Sequence, residues 1–160
     1  MAGCWDGSEL RAVSFAPPAA WHALIVLPEK PLATTASRAV LPENYSRADV
    51  VANLQRVAVL TAAFAAGRGD LIAESMRDRM HQPYRSEVCP LLPKLLPLWE
   101  TAGVLGVALS GAGPAVLVLI SSADHAQSVE VRIRDVLRNE EPVEILRCGL
   151  ESHSAQMMSI

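Results

Sequence analysis

Residues 104–120, VLGVALSGAGPAVLVLI, decide how the rest of this sequence is read. Val104 to Leu109 and Ala115 to Ile120 are nearly continuous apolar runs, and runs without polar alternation belong to strands covered on both faces. Between them stands Ser110-Gly111-Ala112-Gly113-Pro114. Its two glycines permit positive φ and close backbone approach, so exposed N–H groups can line a concavity for an anion. The same residues serve as well in a tight hairpin with Pro114 opening the second strand, and the segment alone leaves both readings open.

Downstream, Asp124 to Leu137 carries Val129, Ile133, Val136 and Leu137 at helical spacing, Asn139 to Pro142 is a break, and Val143 to Cys148 reads as a last strand. The polar tail, Glu151 to Ile160, is expected to fray. Upstream, Pro90, Pro93 and Pro97 predict an irregular or kinked helix ending at Gly103. Ser46-Arg47-Ala48-Asp49 resembles a capping box and opens a helix over 48–66, with Val50, Leu54, Val57, Thr61 and Phe64 along one stripe. Gly67 and Gly69 end it, and Asp70 is placed to cap a second helix carrying Ile72, Met76 and Met80. Leu10 to Phe15 and Trp21 to Leu27 read as two strands, and Thr34 as the cap of a short helix ended by Pro42. The order, two strands, a helical block, then strand-turn-strand-helix-strand, is α+β, with helices packed over an antiparallel sheet.

Composition narrows the function. Hydrophobic residues make up 51% of 160 residues against 19% charged, with a mean hydropathy of +0.24. That is greasy for a lone domain, and it predicts an apolar patch left bare by a missing neighbour. No uninterrupted apolar run approaches the roughly 18 residues of a membrane span, and the start, with Asp6, Glu9 and Arg11, lacks the pattern of a secretory signal, so a cytoplasmic setting without membrane contact is expected. The net charge of −3 with no basic cluster, and only two Phe and two Tyr, gives nucleic-acid binding no support. Cys4, Cys89 and Cys148 are too scattered for a disulfide framework or a zinc site.

Two further segments can carry chemistry. Asp78-Arg79-Met80-His81-Gln82-Pro83-Tyr84-Arg85 concentrates charge and a His at a helix end, where side chains can converge on a small ligand, although an ordinary solvated helix end has the same look. Thr34-Thr35-Ala36-Ser37-Arg38-Ala39-Val40-Leu41-Pro42 offers a guanidinium fork suited to a carboxylate beside hydroxyls, although a surface arginine on a capped helix reads alike. No strong general base emerges: His22, His81, His125 and His153 are dispersed, and Asp78 reads as an ion-pair partner of Arg85.

Taken in order, from about Ala23 to Arg147 and with Asp49, Asn53 and Arg56 between them, these three segments resemble the homoserine kinases of the GHMP family of small-molecule kinases. The resemblance implies a GHMP kinase C-terminal domain, ferredoxin-like, over 31–160, with 1–30 as boundary strands left from the N-terminal ATP-binding domain. It implies phosphoryl transfer from ATP, with Mg²⁺, to the hydroxyl of L-homoserine, giving O-phospho-L-homoserine on the route to threonine. Arg38 and Arg85 would bind the substrate carboxylate and Thr34 would sit in the catalytic cleft. Ser110, Gly111 and Gly113 would shape the nucleotide side, while Ala115 departs from the Thr often found after Gly-Pro in relatives. The family's phosphate loop, P-x-x-x-G-L-G-S-S, has no match, nor has a Walker segment. The partners implied are therefore L-homoserine and a missing N-terminal domain, with a homodimer left open, and the isolated chain is expected to be inactive. A non-catalytic amino-acid-binding α+β module is the alternative.

Overall fold

The computed structural model describes residues 2–5 and 7–150. The hairpin expected from residues 104–120 is present: β4 (Val104–Leu109) pairs antiparallel with β5 (Val116–Ile120). On the far side of β5 runs β3 (His22–Pro28), and β6 (Val143–Gly149) pairs with β3, giving the antiparallel order β4-β5-β3-β6. With helices after β3 and after β5, this is the βαββαβ ferredoxin-like arrangement. β3 lies inside this sheet, although the expected division at residue 30 grouped it with the boundary strands. β1 (Ala2–Trp5) pairs with β2 (Leu10–Val13) in a separate two-stranded hairpin, and the sequence reading had not anticipated β1.

Both faces of the sheet carry apolar side chains, as the uninterrupted runs required, but they are covered unequally. Leu24, Val26, Val116, Val118 and Ile120 are fully buried against α5 (Leu91–Leu95), the 3₁₀ turn Leu96–Glu100 and α6 (Ala126–Val136), whose Val129 and Ile133 face inward. Each such side chain contributes about 1.5–3 kcal/mol by leaving water. The prolines act as expected, breaking the 90–103 segment into a short α-helix and a 3₁₀ turn. On the opposite face Trp21, Ile72 and Leu119 form a smaller core with Ala63. It is built by α2 (Arg47–Ala66) and α3 (Ile72–Ser75), while Leu146 on β6 stays 42% exposed.

α2 starts where the sequence placed it. Ser46 is the N-cap, its Oγ accepting from Asp49 N at 3.1 Å and donating to the Asp49 carboxylate, and Gly67 closes the helix at φ +66°. The inward stripe differs in part from the expected one: Phe64 faces the sheet as expected, but Leu54 and Val57 are exposed, and Leu60 and Ala63 take their place. The helix is apolar on nearly all sides, so periodicity alone could not choose between its faces. For the same reason α2 meets the length and mean apolarity of a membrane span, although Asp49, Asn53, Gln55 and Arg56 interrupt it, so it is not the uninterrupted apolar run whose absence was expected.

Three local expectations need correction. Ala33, not Thr34, is the N-cap of α1 (Thr34–Ala39), and no side chain caps it. Asp70 lies inside a 3₁₀ turn, Gly69–Leu71, and pairs with Arg68 rather than capping α3. α3 ends at Ser75, leaving Met80 in a bend, because Asp78 draws the following backbone amides to itself. The tail 151–160 lies outside the described residues.

A single turn sets the entry to β4. Gly103 has φ +86°, and a Cβ there would stand 2.3 Å from Cγ of His125. Gly103→Ala is expected to destabilise the fold by about 2–4 kcal/mol, through left-handed backbone and ring overlap together. Urea unfolding followed by circular dichroism checks this, and an unshifted midpoint contradicts it.

Candidate functional site

The 110–114 turn is held from two directions. Gly111 and Gly113 adopt φ of +64° and +88°, so glycine is required at both. Ser110 N donates to Ala115 O at 2.9 Å and Gly113 N to Ser110 O at 3.2 Å, which closes the turn on itself. Beneath it lies Cys89: a Cβ on Gly113 would be 2.6 Å from its Sγ. Burial pushes the Cys89 thiol above its ordinary pKa, so it is an inert packing group here. The three described cysteines are all free.

From one side α1 docks on the turn through Ser37, which is fully buried and whose Oγ donates to Ala112 O. From the other comes Arg85, at the end of the one-turn helix α4 (Gln82–Arg85). Its Nε lies 3.4 Å from Ser37 O and its Nη1 3.4 Å from Gly111 O. These are long bonds, but they span two elements far apart in sequence. Arg38 follows Ser37 directly and is exposed, its guanidinium unpartnered among the described residues; Thr34, one turn earlier, is exposed too. The structure therefore brings α1, through Ser37, together with Arg85 and the Ser110-Gly111-Gly113 turn. Arg85, Gly111, Leu109, Asp78, His81 and Gln82 line a cleft of about 320 Å³, while Thr34 and Arg38 on α1 do not line it.

What positions Arg85 is Asp78. Its carboxylate accepts from Asn53 Nδ2, from Met80 N at 3.0 Å, from His81 N at 2.7 Å and from Gln82 N, with His81 Nδ1 at 3.3 Å. Asp78 is thus the organiser of the loop rather than the ion-pair partner of Arg85 that the sequence suggested; no ion pair joins them among the described residues. Burial is the largest single influence on its pKa and opposes ionisation. The bonds from Gln82, Asn53, Met80 and His81 together outweigh it, leaving the carboxyl below the ordinary aspartate value. Asn53 adds a second bond, its Oδ1 accepting from Arg79 N at 2.9 Å. Buried Gln82 then ties the loop to the sheet, accepting from Leu109 N at 3.0 Å and donating to Met76 O at 3.3 Å. Ser37 and Gln82 were missed by sequence reasoning, since nothing in their local sequence marks them as cross-links between distant segments.

Fold and site define a ferredoxin-like domain in which a glycine turn borders a cleft lined by Arg85 and Asp78. A family model described as GHMP kinases C terminal matches residues 60–139, and the chain belongs to this family. It is 39% identical over 153 residues to a homoserine kinase of Solibacter usitatus, covering 95% of this chain and 49% of that protein. It is also 46% identical over 102 residues to the homoserine kinase of Schizosaccharomyces pombe, covering 61% of this chain and 30% of that one. The chain thus spans about half the length, or less, of the relatives it matches. The crystal structure of homoserine kinase from Cytophaga hutchinsonii superimposes with a TM-score of 0.82 at 26% identity, covering 89% of this chain and 46% of that one. Streptococcus pneumoniae phosphomevalonate kinase, at TM-score 0.64 and 16% identity, shares the fold.

The Asp78 network has a pH signature. A carboxyl whose folded pKa is lowered stabilises the fold above its ordinary value, and that contribution is lost as pH falls through the folded value. Stability is expected to drop on acidification below about pH 4. Asp78→Asn should be less stable at neutral pH and show a shallower acid limb in urea titrations; parallel limbs for the two proteins contradict the assignment.

Proposed function

We propose that this chain is the substrate-binding half of a homoserine kinase, acting in threonine biosynthesis with L-homoserine as substrate. In the complete enzyme the γ-phosphoryl group of ATP passes to the side-chain hydroxyl of L-homoserine, giving O-phospho-L-homoserine. Arg38 and Arg85 take the α-carboxylate, each offering a planar fork of donors. Thr34, on the same side of α1 as Arg38, lies beside the amino acid. The Ser110-Gly111-Gly113 turn borders the nucleotide.

One observation carries this reading: Arg85 spans from Ser37 on α1 to Gly111 on the glycine turn, so the two arginine-bearing segments meet at the turn. Relatives named homoserine kinase at 39–46% identity support an amino acid as the occupant. The cationic site also suits a carboxylate better than a neutral sugar.

The phosphates of ATP and a Mg²⁺ ion do not fit these residues alone. The chain has no P-x-x-x-G-L-G-S-S segment, and among the described residues no group of three His, Cys, Asp or Glu is placed to hold a metal ion. Both groups would be held by an N-terminal domain. β1 and β2, paired with each other and apart from the main sheet, are the boundary segment suited to meet that domain.

Calorimetric titration of the chain with L-homoserine tests the proposal. Saturable binding is expected, weakened about tenfold or more by Arg38→Gln or Arg85→Gln, the scale of a lost charge-assisted pair. No binding, or binding indifferent to both substitutions, contradicts it. ATP-dependent phosphorylation is expected only when the N-terminal half of a homoserine kinase is added. Homoserine binding that never leads to turnover, even then, favours a non-catalytic amino-acid-binding module.

A further inference from the structure

The cleft beside the glycine turn is balanced in charge. Arg85 is the one fixed cation in its lining, and among the described residues its guanidinium bonds only carbonyls, at Ser37 and Gly111. Asp78 is the one fixed anion. Such a lining suits an occupant of zero net charge, and a zwitterion that brings a carboxylate to Arg85 also brings an ammonium group, a pure donor that needs an acceptor.

Three side chains in the lining carry a nitrogen or oxygen able to accept: Asp78, Gln82 and His81. Asp78 is saturated. Its two oxygens already accept from Asn53 Nδ2, from the amides of Met80, His81 and Gln82, and from the His81 ring, and a carboxylate has only about four lone-pair sites. Gln82 is used at both ends, Oε1 by Leu109 N at 3.0 Å and Nε2 by Met76 O at 3.3 Å. His81 differs. Its side chain is half exposed, and its Nδ1 lies 3.3 Å from Asp78 Oδ1. The Asp78 carboxylate is held ionised and only accepts, so the ring proton sits on Nδ1 and Nε2 of the neutral ring keeps its lone pair. Nε2 has no hydrogen-bond partner among the described residues.

We propose that His81 sets selectivity for an α-amino acid, its Nε2 accepting from the substrate ammonium group while Arg85 takes the carboxylate. The proposal rests on the reading of this cleft as the homoserine site, and it adds the group that separates an amino acid from a plain hydroxy acid. Asp78 then has a double part. Its bonds to backbone amides shape the loop, and its bond to Nδ1 fixes which ring nitrogen is left to accept.

Calorimetry of the full chain with L-homoserine and with 4-hydroxybutanoate, the same molecule without its α-amino group, tests the proposal. Homoserine is expected to bind about tenfold or more tighter, the scale of a hydrogen bond to a charged group. His81→Leu should bring the two ligands within about threefold of each other, and His81→Gln, which restores a side-chain acceptor, should keep most of the preference. A ratio of two ligands cancels any general loosening of the cleft, and the backbone amide of residue 81 keeps its bond to Asp78 in both variants. Long-range ¹H–¹⁵N spectra of the unmodified chain read the ring directly: His81 Nε2 should shift with homoserine and stay in place with 4-hydroxybutanoate. A preference unchanged in His81→Leu, a preference lost equally in both variants, or an Nε2 unmoved by homoserine overturns the proposal; if Arg85→Gln still weakens homoserine binding, the reading of the site survives. No homoserine binding, or binding indifferent to Arg85→Gln, overturns both.

Discussion

The bridge made by Arg85 is the constraint on which the site depends. A guanidinium reaching from a helical carbonyl at Ser37 to a turn carbonyl at Gly111 fixes the separation of two elements whose sequence positions lie far apart. Each bond is long and individually weak. The buried Ser37 hydroxyl, bonded to Ala112, supplies the complementary link, so α1 cannot leave the turn without stranding a buried polar group. Glycine is needed twice in that turn because both residues adopt positive φ, and at Gly113 also because Cys89 fills the space where a side chain would go.

Behind this bridge the polar interactions form a relay. Asn53 on the long helix holds Asp78, Asp78 gathers the amides of Met80, His81 and Gln82, and Gln82 anchors the loop to the end of β4. A carboxylate satisfied almost wholly by backbone amides and an amide side chain is suited to shaping a loop, not to moving a proton. On the proposed reading, phosphoryl transfer through a loose transition state needs little base strength, so positioning would carry most of the work of this half.

Much of the architecture was legible in the sequence because strong local signals agreed with the global fold. The uninterrupted runs of 104–109 and 115–120 gave buried strands, Ser46 gave a helix cap, and the prolines between 90 and 97 broke a helix. Less legible were features fixed by long-range contacts. The face of α2 that turns inward was only partly chosen, Phe64 correctly, because Leu54 and Val57 are as apolar as Leu60 and Ala63. β1 is four residues paired only locally, a signal too short to separate from a loop. Thr34, Arg38, Arg85 and the glycine turn were found as motifs. Ser37, Gln82 and the organising role of Asp78 depend on partners up to 75 residues away, which no local pattern encodes.

The account's central claim is that α1 and the glycine turn form one ligand-binding unit through Arg85. Two-dimensional ¹H–¹⁵N NMR of the chain, titrated with L-homoserine, addresses it residue by residue. The amides of Ser37 and Arg38 should shift together with those of Gly111 and Gly113, along a single binding curve. Shifts confined to one of the two segments, or the absence of any, would contradict the claim.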